Sequence, residues 1–273
     1  MRATVSSSAV ALVPADSIDL DALTALFNGA YSDYFVPLKL DRGGLELTID
    51  ICDIELPASR VAVEDGEPVA FAFLALRGDE GWIGGMGTLP THRRRGLGEE
   101  ALKAVLAEAE ARGARSVRLE VIEQNEPARR LYEKLGFERE RDLNVWILDS
   151  APPQVTKAQP ADPAEAHAWI RANRRAQEPW QRADETLERM QGRGLAHEAL
   201  TVGGDGAALY RGSGVLQLAA RDEKAAANLL AAVAAQGDGL RFVNVPEGDP
   251  ANAALAFLKA KLQLRQHEMR ASL

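Results

Sequence analysis

The ten residues Leu89-Pro90-Thr91-His92-Arg93-Arg94-Arg95-Gly96-Leu97-Gly98 constrain this chain more than any others. They follow an apolar stretch, Trp82 to Leu89, that reads as a strand. They open a strongly helical stretch, Leu97 to Arg112. A glycine-rich turn between a strand and a helix presents consecutive backbone N–H groups at the positive end of the helix dipole, a setting that suits a pyrophosphate. Gly96 and Gly98 carry no Cβ, so the backbone there can come close to a ligand. Alone, R-x-x-G-x-G is a weak signal. A second element begins 27 residues after Gly98 and strengthens it: Asn125-Glu126-Pro127-Ala128-Arg129-Arg130-Leu131-Tyr132-Glu133-Lys134-Leu135-Gly136-Phe137.

Together the two elements resemble the GNAT superfamily of acyl-CoA-dependent N-acetyltransferases. The resemblance is tight over residues 80–140 and looser from about residue 8 to 148. It implies an α/β (α+β) fold with a mixed, mostly antiparallel central sheet flanked by helices. It also implies acetyl-CoA as co-substrate and a primary amine as acceptor.

Composition agrees with a globular protein: 46% hydrophobic and 26% charged residues over 273 positions, enough for two domains. No apolar run approaches the ~18 residues needed to span a bilayer. The opening Met1-Arg2-Ala3-Thr4-Val5-Ser6 lacks the sustained apolar core of a signal peptide. A single cysteine, Cys52, excludes an internal disulfide, and four scattered histidines show no metal-ligand spacing. The expectation is a cytoplasmic protein with no metal and no membrane partner. Residues 1–150 hold 17 Lys and Arg against 26 Asp and Glu, a net −9, whereas residues 151–273 hold 15 against 14. An acidic first half argues against a nucleic-acid partner, whose phosphates it would repel. It suits a cationic amine, although acids of this kind also simply keep a protein soluble.

The clearest break in the chain is Ser150-Ala151-Pro152-Pro153-Gln154 through Pro160-Ala161-Asp162-Pro163. Its prolines argue for an extended connector. Before it, the pattern predicts a strand at Val10–Val13 and a helix from Ile18 to about Asp33, capped by Asp16 or Ser17. A second helix covers Asp41 to Ile54, and strands follow at Arg60–Glu64, Pro68–Arg77 and Trp82–Leu89. The Leu97–Arg112 helix ends at Gly113. Next come a strand at Ser116–Ile122, a helix at Glu126–Leu135 and strands at Phe137–Arg141 and Leu143–Leu148. After the connector the order partly repeats, with helices at Ala164–Arg175, Asp222–Gln236 and Pro250–Leu262. The domains expected are 1–150 with the acetyl-CoA site, a proline-rich linker 151–163, and a degenerate tandem copy over 164–273. In that copy Arg221-Asp222-Glu223-Lys224 stands where the glycine loop belongs, and Leu255 or Ala256 falls near the position matching Tyr132. Gln191-Gly192-Arg193-Gly194-Leu195-Ala196 satisfies a relaxed loop pattern. It follows a helix and precedes a strand, so it reads as a helix C-terminus.

The resemblance assigns roles residue by residue. The backbone of Arg94, Arg95, Gly96, Leu97, Gly98 and Glu99 is the expected pyrophosphate cradle, with Arg93, Arg94 and Arg95 adding charge near the CoA phosphates. Met86, Gly87 and Thr88 would line the pantetheine arm. Asn125 would contact CoA, and Tyr132, seven residues on, would protonate the departing thiolate. Tyr132 could instead pack beside Leu131 and Leu135. Glu120, in Leu119-Glu120-Val121, is the candidate general base; a water chain or a purely structural ion pair is its alternative. Tyr31, Tyr34, Asp50 and Asp53 are candidate acceptor-site residues, since carboxylates beside aromatic rings can hold a protonated amine. The expected activity is N-acetylation of a small molecule, an amino acid derivative or a peptide. The rival from another class is a non-catalytic acyl-CoA-binding sensor or scaffold.

Overall fold

The computed structural model describes residues 10–152 and 157–273, so Met1–Ser6 and the linker's Pro153 and Gln154 lie outside the described residues. Compactness divides the chain into two units interleaved in sequence.

The first unit contains residues through Leu119, Pro127–Glu138 and Arg270–Leu273. Its elements are β1 (Val10–Pro14), α1 (Leu20–Ala30), α2 (Arg42–Ile51), β2 (Arg60–Glu64), β3 (Glu67–Arg77), β4 (Glu80–Thr88), α3 (Leu97–Ala111), most of β5 (Ser116–Ile122) and α4 (Glu126–Lys134). Strands β1 to β4 pair as antiparallel neighbours, and β4 pairs with β5 in parallel. β3 is buried from Val69 to Ala75, as expected of a strand covered on both faces. Period-two alternation divides it: Ala70 packs with Leu97 of α3, while the Phe71 ring meets Phe27 and Tyr31 of α1. Leu97, Ala101, Leu102, Val105 and Ala109 form the buried stripe of α3, at helical spacing. Each Leu or Val there contributes about 1.5–3 kcal/mol of burial. The cap of α1 is Asp19, whose carboxylate accepts from the Asp21 N–H, rather than Asp16 or Ser17; those two lie in a preceding 3₁₀ turn.

The second unit contains Glu120–Glu126 and Arg139–Met269. It holds β6 (Glu138–Leu148), β7 (Gln159–Pro160), α5 (Pro163–Asn173), α6 (Asp184–Gly192), β8 (Glu198–Thr201), β9 (Gly206–Arg211), β10 (Gly214–Ala220), α7 (Glu223–Ala234), β11 (Leu240–Pro246), α8 (Pro250–Phe257) and most of β12 (Lys261–Ser272). Its strands run in the order β7-β8-β9-β10-β11-β6, and those of the first in the order β1-β2-β3-β4-β5. β6 comes from before the proline-rich connector, whereas Arg270–Leu273, from beyond it, belong to the first unit. Helices cover both faces of the second unit's sheet. Alanine-rich α7 is buried over most of its surface with α8, and Ala166, Ile170 and Leu187 of α5 and α6 pack on Ala199, Ala207 and Leu209.

Three expectations change here. The helix predicted to run from Pro250 to Leu262 stops at Phe257; Lys259 turns the backbone left-handed (φ +62°), and β12 follows. Phe137–Arg141 and Leu143–Leu148 form one strand, β6. The later part of the connector carries regular structure: Pro160 pairs with Leu200 at an edge of the sheet, where a missing N–H is tolerated, and Pro163 starts α5 behind its Asp162 cap. The Gln191–Ala196 segment ends α6 as predicted, with Gly194 left-handed and Leu195 N–H bonded to Met190 C=O.

In the second unit Asp184 accepts hydrogen bonds from His167, Arg174 and Gln217. Burial would raise its carboxyl, but these bonds outweigh burial and hold it at about 2. A carboxyl depressed on folding contributes stability above its unfolded pKa and loses it as pH falls through the folded value. Wild-type protein is therefore expected to lose about 2 kcal/mol between pH 5 and pH 2 through this group alone. Asp184→Asn should flatten that part of the denaturant-midpoint profile, and an unchanged slope would show that the depression contributes nothing.

Candidate functional site

The site is built on β4. Between the pairs Gly85–Phe73 and Ile83–Leu74 the register slips, leaving Gly84 as an extra residue, a β-bulge. β4 and β5 pair only at Glu80–Ser116, Gly81–Val117 and Trp82–Arg118, and the two strands then diverge. An ion pair, Arg118 to Glu80 at 2.7 Å, holds the closed end. From Ile83 to Thr88 the edge of β4 facing β5 has no strand partner among the described residues, which suits a ligand that pairs with backbone. Glycines keep the strand slim: a Cβ on Gly87 would stand 2.7 Å from the Ala30 Cβ. The Tyr31 hydroxyl donates to the Met86 carbonyl at 3.0 Å, fixing the end of α1 on the strand.

At the top of β4 the loop turns into α3. Arg94 (φ +62°) and Gly96 (φ +83°) both take left-handed backbone, and Gly96 occupies the N-cap position. Helices α1, α2, α5, α7 and α8 each start on an aspartate whose carboxylate accepts first-turn N–H groups. Glycine has no side chain to do so. The amides of Leu97, Gly98 and Glu99 thus point out of the longest helix without a side-chain cap. A Cβ on Gly98 would lie 3.2 Å from Thr88 Oγ1 and 3.5 Å from Met86 Cε, so this turn sits directly over the end of β4. In the second unit, β10 and β11 also pair only at their start, Gly214–Arg241 and Val215–Phe242. There, however, the Asp222 carboxylate accepts the Ala225 N–H at 2.8 Å and fills the start of α7 with its own negative charge.

The three arginines separate into different roles. Arg93 makes a two-pronged pair with Asp33 (2.7 and 2.6 Å), donates to the Ala30 and Thr88 carbonyls, and holds the Asp33 carboxyl below the usual range. Arg95 pairs similarly with Glu64 (2.8 and 2.5 Å). Both pin the loop to the scaffold. Arg94 alone of the three has no ion pair among the described residues. Glu99, bonded by Lys103 and Lys134, is held at about 2 and ties α3 to α4.

Tyr132 belongs to the first unit and is 7% exposed, its ring 5.9 Å from that of Phe137. Burial pushes its hydroxyl well above the usual phenol range, with Tyr31 and Tyr34 adding to the effect. The hydroxyl therefore stays protonated across the neutral range, and it has no hydrogen-bond partner among the described residues. Tyr31 and Tyr34 meet edge to face at 4.9 Å. Asp53 lies just past α2 (φ +56°) rather than on it, and its carboxylate accepts from Arg77 Nε at 2.8 Å. Asp50 is in the last turn of α2. Glu120 and Asn125 belong to the second unit; Glu120 accepts from Gln181 Nε2 at 2.9 Å, and Asn125 directly precedes α4. Sequence reasoning missed Asp33, Glu64 and Gln181. The bulge had a signal, since Gly84-Gly85-Met86-Gly87 inside a strand marks irregular or closely approached backbone.

With this geometry in view, comparison with known proteins is direct. Residues 21–137 match the model of the acetyltransferase (GNAT) family. The [Ribosomal protein bS18]-alanine N-acetyltransferase of Escherichia coli K12 is 36% identical over 74 residues, which cover 27% of this chain and 50% of that protein. The chain thus spans about half the length of the curated relatives it matches. A GCN5-related N-acetyltransferase from Sphaerobacter thermophilus superposes with a TM-score of 0.77 at 16% identity, over 96% of this chain and 95% of that one. A tandem GNAT protein from the clavulanic acid biosynthesis pathway gives 0.66 at 15% identity, over 97% and 98%. These two likenesses show the fold. No helix among the described residues is long and apolar enough to cross a membrane.

Proposed function

We propose that this chain transfers an acetyl group from acetyl-CoA to a primary amine by direct attack within a ternary complex. The observation that carries this reading is the uncapped, glycine-started α3 standing over the free edge of β4. A row of amides with no internal acceptor at a positive helix end suits a pyrophosphate, and the free strand edge suits the amide-bearing pantetheine arm. The residues fit the group: the backbone from Arg94 to Glu99 would hold the phosphates, with the Arg94 side chain beside them, and Met86, Gly87 and Thr88 would hold the arm. When bound, acetyl-CoA supplies an activated carbonyl.

Glu120 takes a proton from the acceptor ammonium, freeing its nitrogen lone pair. Tyr132 gives its hydroxyl proton to the sulfur as the C–S bond breaks and the C–N bond forms. The nitrogen sheds its second proton as the amide forms, which restores the one Tyr132 gave, and Glu120 releases the first to solvent, so ammonium and thioester give amide, thiol and one proton. Tyr31 and Tyr34 shape the acceptor end. The curated relatives, alanine N-acetyltransferases acting on a ribosomal protein, favour a peptide N-terminus as the first acceptor to try. In this reading residues 1–150 carry the transferase and residues 164–273 a copy whose phosphate position Asp222 occupies.

Calorimetric titration of the full chain with acetyl-CoA is expected to give one site per chain. Two sites would overturn the reading of the second copy. No binding would sink the transferase assignment, and binding without turnover on any amine would favour the sensor.

A further inference from the structure

Gln181 lies in a single 3₁₀ turn, Trp180–Arg182, between α5 and α6. Its Nε2 donates to Glu120 Oε2 at 2.9 Å, and its Oε1 accepts from Asn244 Nδ2 at 3.3 Å. Asn244 Oδ1 accepts in turn from Gln266 Nε2 at 2.6 Å. The direction of this relay is set by its end. An ionised carboxylate only accepts, so Gln181 must present its nitrogen to Glu120 and its oxygen to Asn244, and Asn244 must face Gln266 the same way. All four residues belong to the second unit.

The relay is built on fixed parts. Asn244 is 3% exposed and takes a left-handed conformation (φ +57°) inside β11, where the register with β6 slips between Phe242 and Val245. Non-glycine residues rarely adopt this conformation in a strand, and here it turns the amide toward Gln181. The 3₁₀ turn is held at both ends. Thr186 Oγ1 donates to the Trp180 carbonyl at 2.6 Å, and Gln217 Nε2 donates to the Arg182 carbonyl at 2.6 Å. The Arg182 guanidinium lies 4.5 Å over the Phe242 ring. Gln181 therefore has little freedom to leave the carboxylate.

We propose that Gln181 is a positioning residue for Glu120, with Asn244 and Gln266 behind it, so that the half without a cofactor loop orients the base of the other half. This rests on Glu120 acting as the base. A carboxylate fixed by a directed donor keeps one orientation toward the acceptor amine, and loss of aim lowers the chemical step without touching cofactor binding.

The test uses the full chain, acetyl-CoA and a peptide with a free N-terminal alanine, following thiol release. Gln181→Ala is expected to lower kcat about tenfold or more, with KM for acetyl-CoA within about twofold. Gln181→Glu should fall further, because it sets a second carboxylate against the first. In a Glu120→Gln background, Gln181→Ala should change kcat by less than about twofold, since there is no base left to aim. An equal fall in that background would mean a general structural effect and would overturn the proposal. So would full kcat in Gln181→Ala when Glu120→Gln is crippled. Full kcat in Glu120→Gln would overturn the base reading itself, and the proposal with it.

Discussion

Replacing Tyr132 with Phe is expected to lower kcat by about a hundredfold or more while leaving acetyl-CoA affinity level. The substitution is unusually clean here. The ring keeps its place beside Phe137, so the core loses no volume. The hydroxyl has no partner among the described residues, so its removal strands no other buried polar group. What is lost is a protonated donor, kept in that state by burial. Single-turnover rates with acetyl-CoA and an N-terminal alanine peptide, set beside calorimetric affinity, make the check. Unchanged turnover would assign Tyr132 to core packing and leave the leaving thiolate to solvent.

The second large effect is expected at Gly96. Gly96→Asp would give α3 the kind of carboxylate that Asp222 gives α7. Aspartate tolerates left-handed backbone better than most residues, so the +83° φ at this position strains it less than it would most other side chains. The new charge would accept first-turn N–H groups and repel a pyrophosphate at the same place. Acetyl-CoA affinity should fall about a hundredfold, roughly 2.7 kcal/mol, while the thermal midpoint falls only modestly. Affinity that survives would mean that the phosphates bind elsewhere.

Much of the first unit was legible because its signals are local. The glycine loop, the Gly113 helix end and the strand predicted at Pro68–Arg77 each depend on residues within a few positions of one another. The two arginine clamps were not, because Arg93, Arg94 and Arg95 look alike in sequence. Only the fold brings Asp33 to the first and Glu64 to the third, leaving Arg94 without an ion pair among the described residues. β12 was missed for a related reason. Leu255, Leu258 and Leu262 continue a helical spacing past the true end of α8, and the break falls on Lys259 rather than on a glycine. Gln181 carried no signal at all, since its partner Glu120 is 61 residues away and no motif links them.

The interleaving of the two units in sequence has a consequence for how the protein is made. The first unit receives Arg270–Leu273 from a segment roughly 130 residues after its own Glu138. On a ribosome, β5 would wait beside an empty lane while the whole second half is synthesised, and the loop that finally closes is a long one. The first unit therefore completes last although most of it is made first. A gene cut at the proline-rich connector would give two fragments, each lacking a strand that the other still encodes.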